Sequence, residues 1–215
     1  MRKEYTFVTG SPLPEVFAKY MPKIDESDVL ERLGLEKGNF ILVSAHREEN
    51  IDNDENFKSL TNALNAIAEK YDMPVIYSTH PRSWKRIESQ GIVFHKNIQQ
   101  LKPFGFYDYN KLQKESFCVL SDSGSLAEES NIMGFPAVSI RTSTERPEAI
   151  DKGSVVLGGI TFDSITQAIE LITKQKSNGA ELVKVHDYTD INVSNKVVNI
   201  IQGYTDVINR FIWRK

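Results

Sequence analysis

The stretch FCVLSDSGSLAEESNIMGFPAVSIR, residues 117–141, decides the fold of this 215-residue chain. It opens with an apolar run at residues 117–121, continues through a segment of helical spacing at 125–133, and closes with a second apolar run at 137–141. Two runs that are apolar on both faces and joined by a helix favour parallel strands in a sheet that helices cover on both sides. The stretch therefore predicts an α/β fold.

The same alternation of apolar runs and helical segments extends over most of the chain. It predicts strands at residues 39–44, 74–78, 93–101, 117–121, 137–141 and 154–157, and helices at residues 53–71, 83–90, 107–115, 125–133, 145–152 and 163–174. Asp52 or Asn53 is expected to cap the first of these helices. We predict a doubly wound, Rossmann-like parallel sheet.

Two segments lie outside this repeat. Near the N-terminus, Phe7-Val8-Thr9 predicts the end of a strand, followed by a turn and a helix near residues 15–20. Residues 191–215 predict one or two helices with a broad apolar stripe. A helix this apolar needs a surface to cover, either its own sheet or a neighbouring domain.

Composition excludes several classes of protein. A net charge of −3 and a pI near 5.9, with no basic block, argue against nucleic acid as the main partner. The single cysteine, Cys118, can form neither a disulfide framework nor a cysteine metal cluster, which suits a reducing cytoplasm. No apolar stretch approaches the ~20 residues of a membrane helix, and the first residues do not open a signal peptide.

Ligands of such sheets bind beyond the carboxyl ends of the strands. Four polar loops follow predicted strands there: SAHREEN at 44–50, STHPRS at 78–83, SDSGSLAEE at 121–129 and RTSTERPE at 141–148. We expect the chemistry of the protein in these loops.

The loop at 121–129 supports two interpretations. Ser125 and Glu128 have the S-x-x-E spacing of a capping box, which would satisfy backbone donors at the start of a helix. Alternatively, the small residues Ser123, Gly124 and Ser125 leave backbone N–H groups at a helix N-terminus open to a phosphate. A carboxylate one turn into the helix could then accept hydrogen bonds from the hydroxyls of a ribose. The second interpretation predicts a nucleoside diphosphate site.

Two histidines follow predicted strands. His46, beside Arg47, is placed to transfer a proton or bind a phosphate, although a surface histidine that caps a turn is the alternative. His80 precedes Pro81, which is expected to start a helix. Arg47 and His80 are further candidates for substrate or phosphate contacts. No pair of histidines has zinc spacing, so no metal site is predicted.

The segment at 141–148 is dense in hydroxyls, acids and guanidinium groups. Thr144 is a candidate helix cap, with Pro147 in the first helical turn. Arg141 and Arg146 suit either an anionic ligand or salt bridges that hold the loop.

The motifs SAHREENI, STHPR, SDSGSLAEE and RTSTERPEA, in this order, resemble the non-hydrolysing UDP-N-acetylglucosamine 2-epimerase family. Within it, they look more like the branch that makes UDP-N-acetyl-L-fucosamine for bacterial surface polysaccharides. The resemblance implies the two-domain GT-B fold and inversion at C2 of a UDP-2-acetamido sugar. It also implies elimination and re-addition of UDP without a redox cofactor, and a homodimeric full-length enzyme.

The resemblance also implies roles for individual residues. His46 matches a histidine near the sugar and diphosphate, and the turn at Ser123, Gly124 and Ser125 matches the diphosphate loop. Glu129 matches a glutamate that binds the ribose. Tyr109 matches an aromatic residue that stacks on uracil. Further matched positions for ligand contacts are Arg141, Thr144 and Glu145. The chain departs from the family at Glu48, where an arginine is usual, and at Ser125, where a second glycine is usual.

Family enzymes are close to twice as long, and the resemblance covers their C-terminal portion. We expect residues 1–12 to be a remnant of the interdomain region, 13–190 a UDP-binding domain, and 191–215 helices that pack towards an N-terminal domain present in cis or in trans. The family's catalytic carboxylates lie in that domain, so the chain alone is expected to be inactive. The alternatives are a non-enzymatic UDP-binding module and the nucleotide-binding half of a GT-B glycosyltransferase.

Overall fold

The computed structural model describes residues 6–144, 146–180 and 183–214. Six strands form one parallel sheet in the order β3-β2-β1-β4-β5-β6. The strands are β1 (Ile41–Ser44), β2 (Val75–Ser78), β3 (Ile98–Leu101), β4 (Cys118–Ser121), β5 (Ala137–Ser139) and β6 (Val156–Leu157). This order and the parallel pairing are those of a doubly wound sheet, so the predicted fold class is confirmed.

Helices connect the strands and cover both faces of the sheet. They are α1 (Leu13–Asp25), α2 (Val29–Leu33), α3 (Glu48–Ile51), α4 (Asp54–Tyr71), α5 (Pro81–Ser89), α6 (Phe106–Glu115), α7 (Leu126–Met133), α8 (Pro147–Asp151), α9 (Phe162–Ser177) and α10 (Val193–Phe211), with a 3₁₀ turn at His186–Tyr188. Asn53, one of the two expected caps, accepts hydrogen bonds from the N–H groups of Glu55 and Asn56 at the start of α4. Pro81 starts α5 and Pro147 starts α8, as predicted.

Two apolar layers lie on opposite faces of the sheet. On one face, α4 and α9 bury side chains such as Leu64 and Ile169 against the strands. On the other face, α6 and α7 bury Leu112 and Leu126 with Phe40. Because both faces are covered, the strands are apolar on both sides, which explains their uniform apolar runs.

The structure corrects two predictions of local structure and decides between the one or two helices expected at residues 191–215. Phe7-Val8-Thr9 is not the end of a strand, because residues 6–10 carry no strand and the Phe7 ring instead packs edge-on against Tyr204 at 4.8 Å. The polar loop after β1 contains a short helix, α3. The side chain of Ile51 in this helix is buried and anchors it to the core. Residues 193–211 form a single helix, α10.

The described residues also exclude two kinds of feature. None of their helices has both the length and the apolarity of a membrane span. They hold no cluster of three or more histidine, cysteine or acidic side chains with the geometry of a metal site.

Candidate functional site

The candidate site lies where the sheet reverses its winding direction. β1 and β4 are neighbours, and their last residues, Ser44 and Ser121, pair in register. The chain leaves β1 towards β2 on one side, whereas β4 leads to β5 on the other. The loops that follow β1 and β4 therefore diverge and leave a crevice at the carboxyl edge, where doubly wound sheets bind ligands.

A buried carboxylate joins these two loops. Asp122, directly after β4, is fully buried and accepts hydrogen bonds from the backbone N–H groups of His46 and Arg47 at 2.9 to 3.1 Å. The side-chain amide of Asn50 donates to Asp122 at 3.0 Å and also to the carbonyl of Ile140. The carboxylate thereby fixes the loop after β1 against the loop after β4, and its charge is stabilised by the N–H groups around it.

Asp122 also orients the ring of His46. The Nδ1 atom of His46 lies 3.3 Å from Asp122 Oδ1, and 45% of the His46 side chain is exposed. Because Nδ1 faces the carboxylate, Nε2 is the ring nitrogen that can contact a ligand. The ring of His80 lies 6.3 Å from that of His46, so the structure brings the two predicted histidines together at one edge.

The small-residue turn precedes α7 and does not form a capping box. Ser125 makes no side-chain cap bond to α7, and its hydroxyl lies 2.9 Å from the hydroxyl of Ser123. The capping partner expected from the sequence, Glu128, instead binds the Ser11 hydroxyl and Arg146. The capping-box interpretation is therefore wrong, because tertiary partners take the glutamate away from the helix end.

Gly124 leaves open space at the centre of this turn. A β-carbon built on Gly124 meets no atom within 4 Å, and its backbone is not in the left-handed region. The fold itself therefore does not require glycine here. A ligand that approaches the backbone closely would explain the absence of a side chain.

Glu129 lies one turn into α7, behind the turn. The side-chain amide of Gln113 donates to Glu129 Oε2 at 2.6 Å. Burial raises the pKa of Glu129, whereas the hydrogen bond from Gln113 acts to lower it.

Tyr109 is half-buried on α6 beside the ends of β1 and β4. Burial raises the pKa of its hydroxyl to about 12. The hydroxyl is thus protonated at neutral pH. Stacking of this ring on uracil stays a prediction.

The loop after β5 lies on the other side of the turn. Arg141 is 2% exposed and its Nε pairs with Glu49 at 3.1 Å, while Arg146 pairs with Glu128 at 2.7 Å. The salt-bridge alternative for both arginines is therefore present. Thr144 does not cap α8, because its hydroxyl accepts from the N–H of Arg146, which precedes the helix. Glu145 lies outside the described residues.

A shallow depression collects several of these groups. Its polar lining comes from Ser123, Gly124, Arg141, Thr144 and Arg146. The turn and the loop after β5 are thus walls of one concave surface.

Arg47 and Glu48 face the edge near β2. Arg47 precedes α3 and lies 3.9 Å from Glu49. Glu48 pairs with Arg82 at 3.1 Å, and Arg82 also pairs with Asp52. Glu48 therefore has a basic partner in the first turn of α5.

Two residues of the site were missed by the sequence analysis. Asp122 was within the quoted loop, and its position directly after a strand, next to small residues, was a usable signal. Gln113 gave no signal, because it is one polar residue within a helix. Its contact with Glu129 depends on how α6 packs against α7.

Comparison with known proteins shows the family of this chain. The family model described as UDP-N-acetylglucosamine 2-epimerase matches residues 1–202. The chain belongs to this family. A UDP-N-acetylglucosamine 2-epimerase of Methanocaldococcus jannaschii is 33% identical over 143 residues, which are 65% of this chain and 39% of that protein.

Solved structures of epimerases share the fold. The UDP-N-acetylglucosamine 2-epimerase of Rickettsia bellii superposes with a TM-score of 0.83 at 37% identity, over 96% of this chain and 56% of that one. The Methanocaldococcus jannaschii enzyme in complex with UDP-GlcNAc and UDP superposes with a TM-score of 0.81 at 26% identity, over 94% and 56%. This epimerase family member thus spans about half the length of its relatives and corresponds to the C-terminal half of their GT-B-like fold.

Proposed function

We propose that this chain is the UDP-binding part of a UDP-2-acetamido-sugar C2 epimerase. The single observation that carries the proposal is that the ring of His46 follows β1, whereas the open turn at Gly124 and the carboxylate of Glu129 follow its neighbour β4. Membership of the epimerase family supports the same assignment.

Each group has a proposed part in holding the nucleotide. The backbone N–H groups of Ser123, Gly124 and Ser125, at the positive end of α7, would bind the diphosphate. Glu129 would accept hydrogen bonds from the ribose hydroxyls. Tyr109 would stack on uracil.

The proposed reaction eliminates and restores UDP. A base removes the proton from C2 of the sugar while the bond from C1 to the diphosphate oxygen breaks, which gives a 2-acetamidoglycal and UDP. UDP then adds back to C1, and a proton returns to C2 from the opposite face. We assign His46 to the leaving diphosphate or to proton transfer through Nε2. Arg47, His80, Arg141, Thr144 and Glu145 are proposed as further substrate or phosphate contacts.

We further propose that the enzyme is of the UDP-N-acetyl-L-fucosamine branch and serves bacterial surface polysaccharides in the cytoplasm. The motifs support this branch, with Glu48 in place of an arginine. Residues 13–190 would form the UDP-binding domain. Residues 1–12 and 191–215 would connect it to an N-terminal domain in cis or in trans, in a homodimeric enzyme.

Replacement of Gly124 by valine tests the diphosphate site. Because a β-carbon at 124 meets no protein atom within 4 Å, Gly124→Val should fold normally yet block the approach of a phosphate. Isothermal calorimetry should show binding of UDP to the parent chain and a loss of affinity of at least about 100-fold in the variant, since all the phosphate contacts of the turn depend on close approach.

The matched control is Gly203→Val. Gly203 lies on α10, and its backbone also lies outside the left-handed region with no atom near an added β-carbon. This variant should bind UDP as the parent does. Equal affinities of parent and Gly124→Val would overturn the assignment of the turn to the diphosphate.

A further inference from the structure

The inference concerns Gln113, which lies beneath the candidate ribose site. Gln113 is fully buried on α6, and its side chain reaches Glu129 of α7 with an Nε2···Oε2 distance of 2.6 Å. A hydrogen bond this short to a carboxylate is charge-assisted, and such bonds are about twice as strong as neutral ones.

The other end of the same amide shows that this contact determines its orientation. Among the described residues, the buried Oε1 atom of Gln113 has no hydrogen-bond partner. Buried polar atoms without partners are rare and carry a cost in free energy. Reversing the amide would not remove this cost, because Oε1 would then face a carboxylate oxygen and two acceptors would repel each other. The bond to Glu129 therefore holds the amide in the observed orientation.

The bond leaves part of the Glu129 carboxylate for a ligand. A carboxylate has about four acceptor positions on its two oxygens. Gln113 uses one of them. The remaining positions are enough to accept from the two hydroxyls of one ribose.

Gln113 is also aligned with the proposed uracil contact. Tyr109 and Gln113 are four residues apart on α6, so their side chains leave the same face of the helix. One helix face therefore supports both the aromatic ring and the carboxylate. A shift of α6 would move the base and ribose contacts together.

We propose that Gln113 is a positioning residue that makes this site selective for a ribose with both hydroxyls. It acts through Glu129, by holding the carboxylate in the one orientation that can accept from the 2′ and 3′ hydroxyls together. The proposal rests on the proposed UDP site and adds the residue that sets its sugar specificity.

Gln113→Met tests this role with two probes, UDP and 2′,3′-dideoxy-UDP. Methionine keeps the length of the side chain but removes the donor. The parent should bind UDP at least tenfold more tightly than the dideoxy compound. In Gln113→Met we expect UDP affinity to fall about tenfold while dideoxy-UDP affinity stays within twofold, so that the ratio of the two affinities falls towards one. A merely structural role would weaken both ligands equally and leave that ratio unchanged.

Two further variants keep the test decisive. Gln113→Asn retains an amide but withdraws it by one methylene, so it should lose the same selectivity if Gln113→Met does not fold. Gln175→Met makes the same chemical change at an exposed position of α9 and should keep the parent's ratio.

The possible failures differ from one another. A parent chain that does not bind UDP, or does not discriminate against dideoxy-UDP, overturns the proposed ribose site and this inference with it. A parent that discriminates, with variants at 113 that discriminate equally, overturns the role of Gln113 alone.

Discussion

The Asp122 carboxylate determines how the ring of His46 is presented. It accepts hydrogen bonds from the backbone N–H groups of His46 and Arg47 and also faces Nδ1 of the His46 ring. A neutral imidazole beside a carboxylate carries its proton on the nitrogen that faces it. The structure therefore assigns the Nδ1–H tautomer to neutral His46, with a lone pair on Nε2.

Asp122→Asn should change this tautomer. The amide removes the negative charge and turns an N–H group towards backbone donors, so His46 should shift towards the commoner Nε2–H form. The free energy of unfolding should also fall by about 2–3 kcal/mol, because buried N–H groups lose their acceptor. Two-bond ¹H–¹⁵N correlation spectra report the tautomer, and urea unfolding reports the stability.

His80 provides an internal control in the same spectra. Its Nδ1 accepts from the N–H of Arg82, so it carries its proton on Nε2 and should not respond to the substitution. An unchanged His46 tautomer in Asp122→Asn would show that the carboxylate does not orient the ring.

At the scale of elements, α10 differs from the other long helices. Along its nineteen residues only Val193 is buried, whereas α9 buries five of its sixteen residues in the core. Val198, Ile201 and Phe211 are each more than 60% exposed. Helix stability in proteins comes mostly from packing of an apolar face, and this face has little to pack on.

We therefore expect α10 to open locally far more often than α9. Hydrogen exchange followed by mass spectrometry should show amides of α10 exchanging at least about tenfold faster than those of α9. Because α9 has similar length and covers the sheet, it serves as the reference within the same molecule. Equal protection of the two helices would mean that α10 is held by contacts beyond those described.

At the scale of the whole molecule, the carboxylates beside His46 are already engaged. Asp122 is buried under N–H donors, Glu129 is held by Gln113, Glu48 pairs with Arg82, and Glu49 pairs with Arg141. Each of these four carboxylates therefore already has a partner within the described part of the chain. The chain also spans about half of the relatives' length, 56% of the Rickettsia bellii structure.

We predict that this chain alone does not exchange the C2 proton. Incubation with UDP-N-acetylglucosamine in deuterated water, followed by NMR, should show no deuterium at C2. The same measurement after fusion to the N-terminal half of a relative should show exchange, because that half would supply the acid and base. Deuterium at C2 with the chain alone would place the acid–base groups within these residues.

The sequence by itself determined the alternation of strands and helices. Apolar periodicity is a property of neighbouring residues, so it identified the six strands and predicted α4 between residues 53 and 71 closely. Strands of a parallel sheet run in the same direction, which places all their carboxyl ends at one edge. The order of residues alone was therefore enough to expect the loops that carry His46, His80 and the turn at Gly124 at that edge.

Only the tertiary structure decided which side chains meet there. The strand order set β1 beside β4, and this brought Asp122 to His46 across 76 positions of sequence. The packing of α6 on α7 brought Gln113 to Glu129, and the N-terminal segment took Glu128 from its expected cap. Contacts of this kind depend on how surfaces that are distant in sequence pack together. A local pattern of residues does not predict that packing.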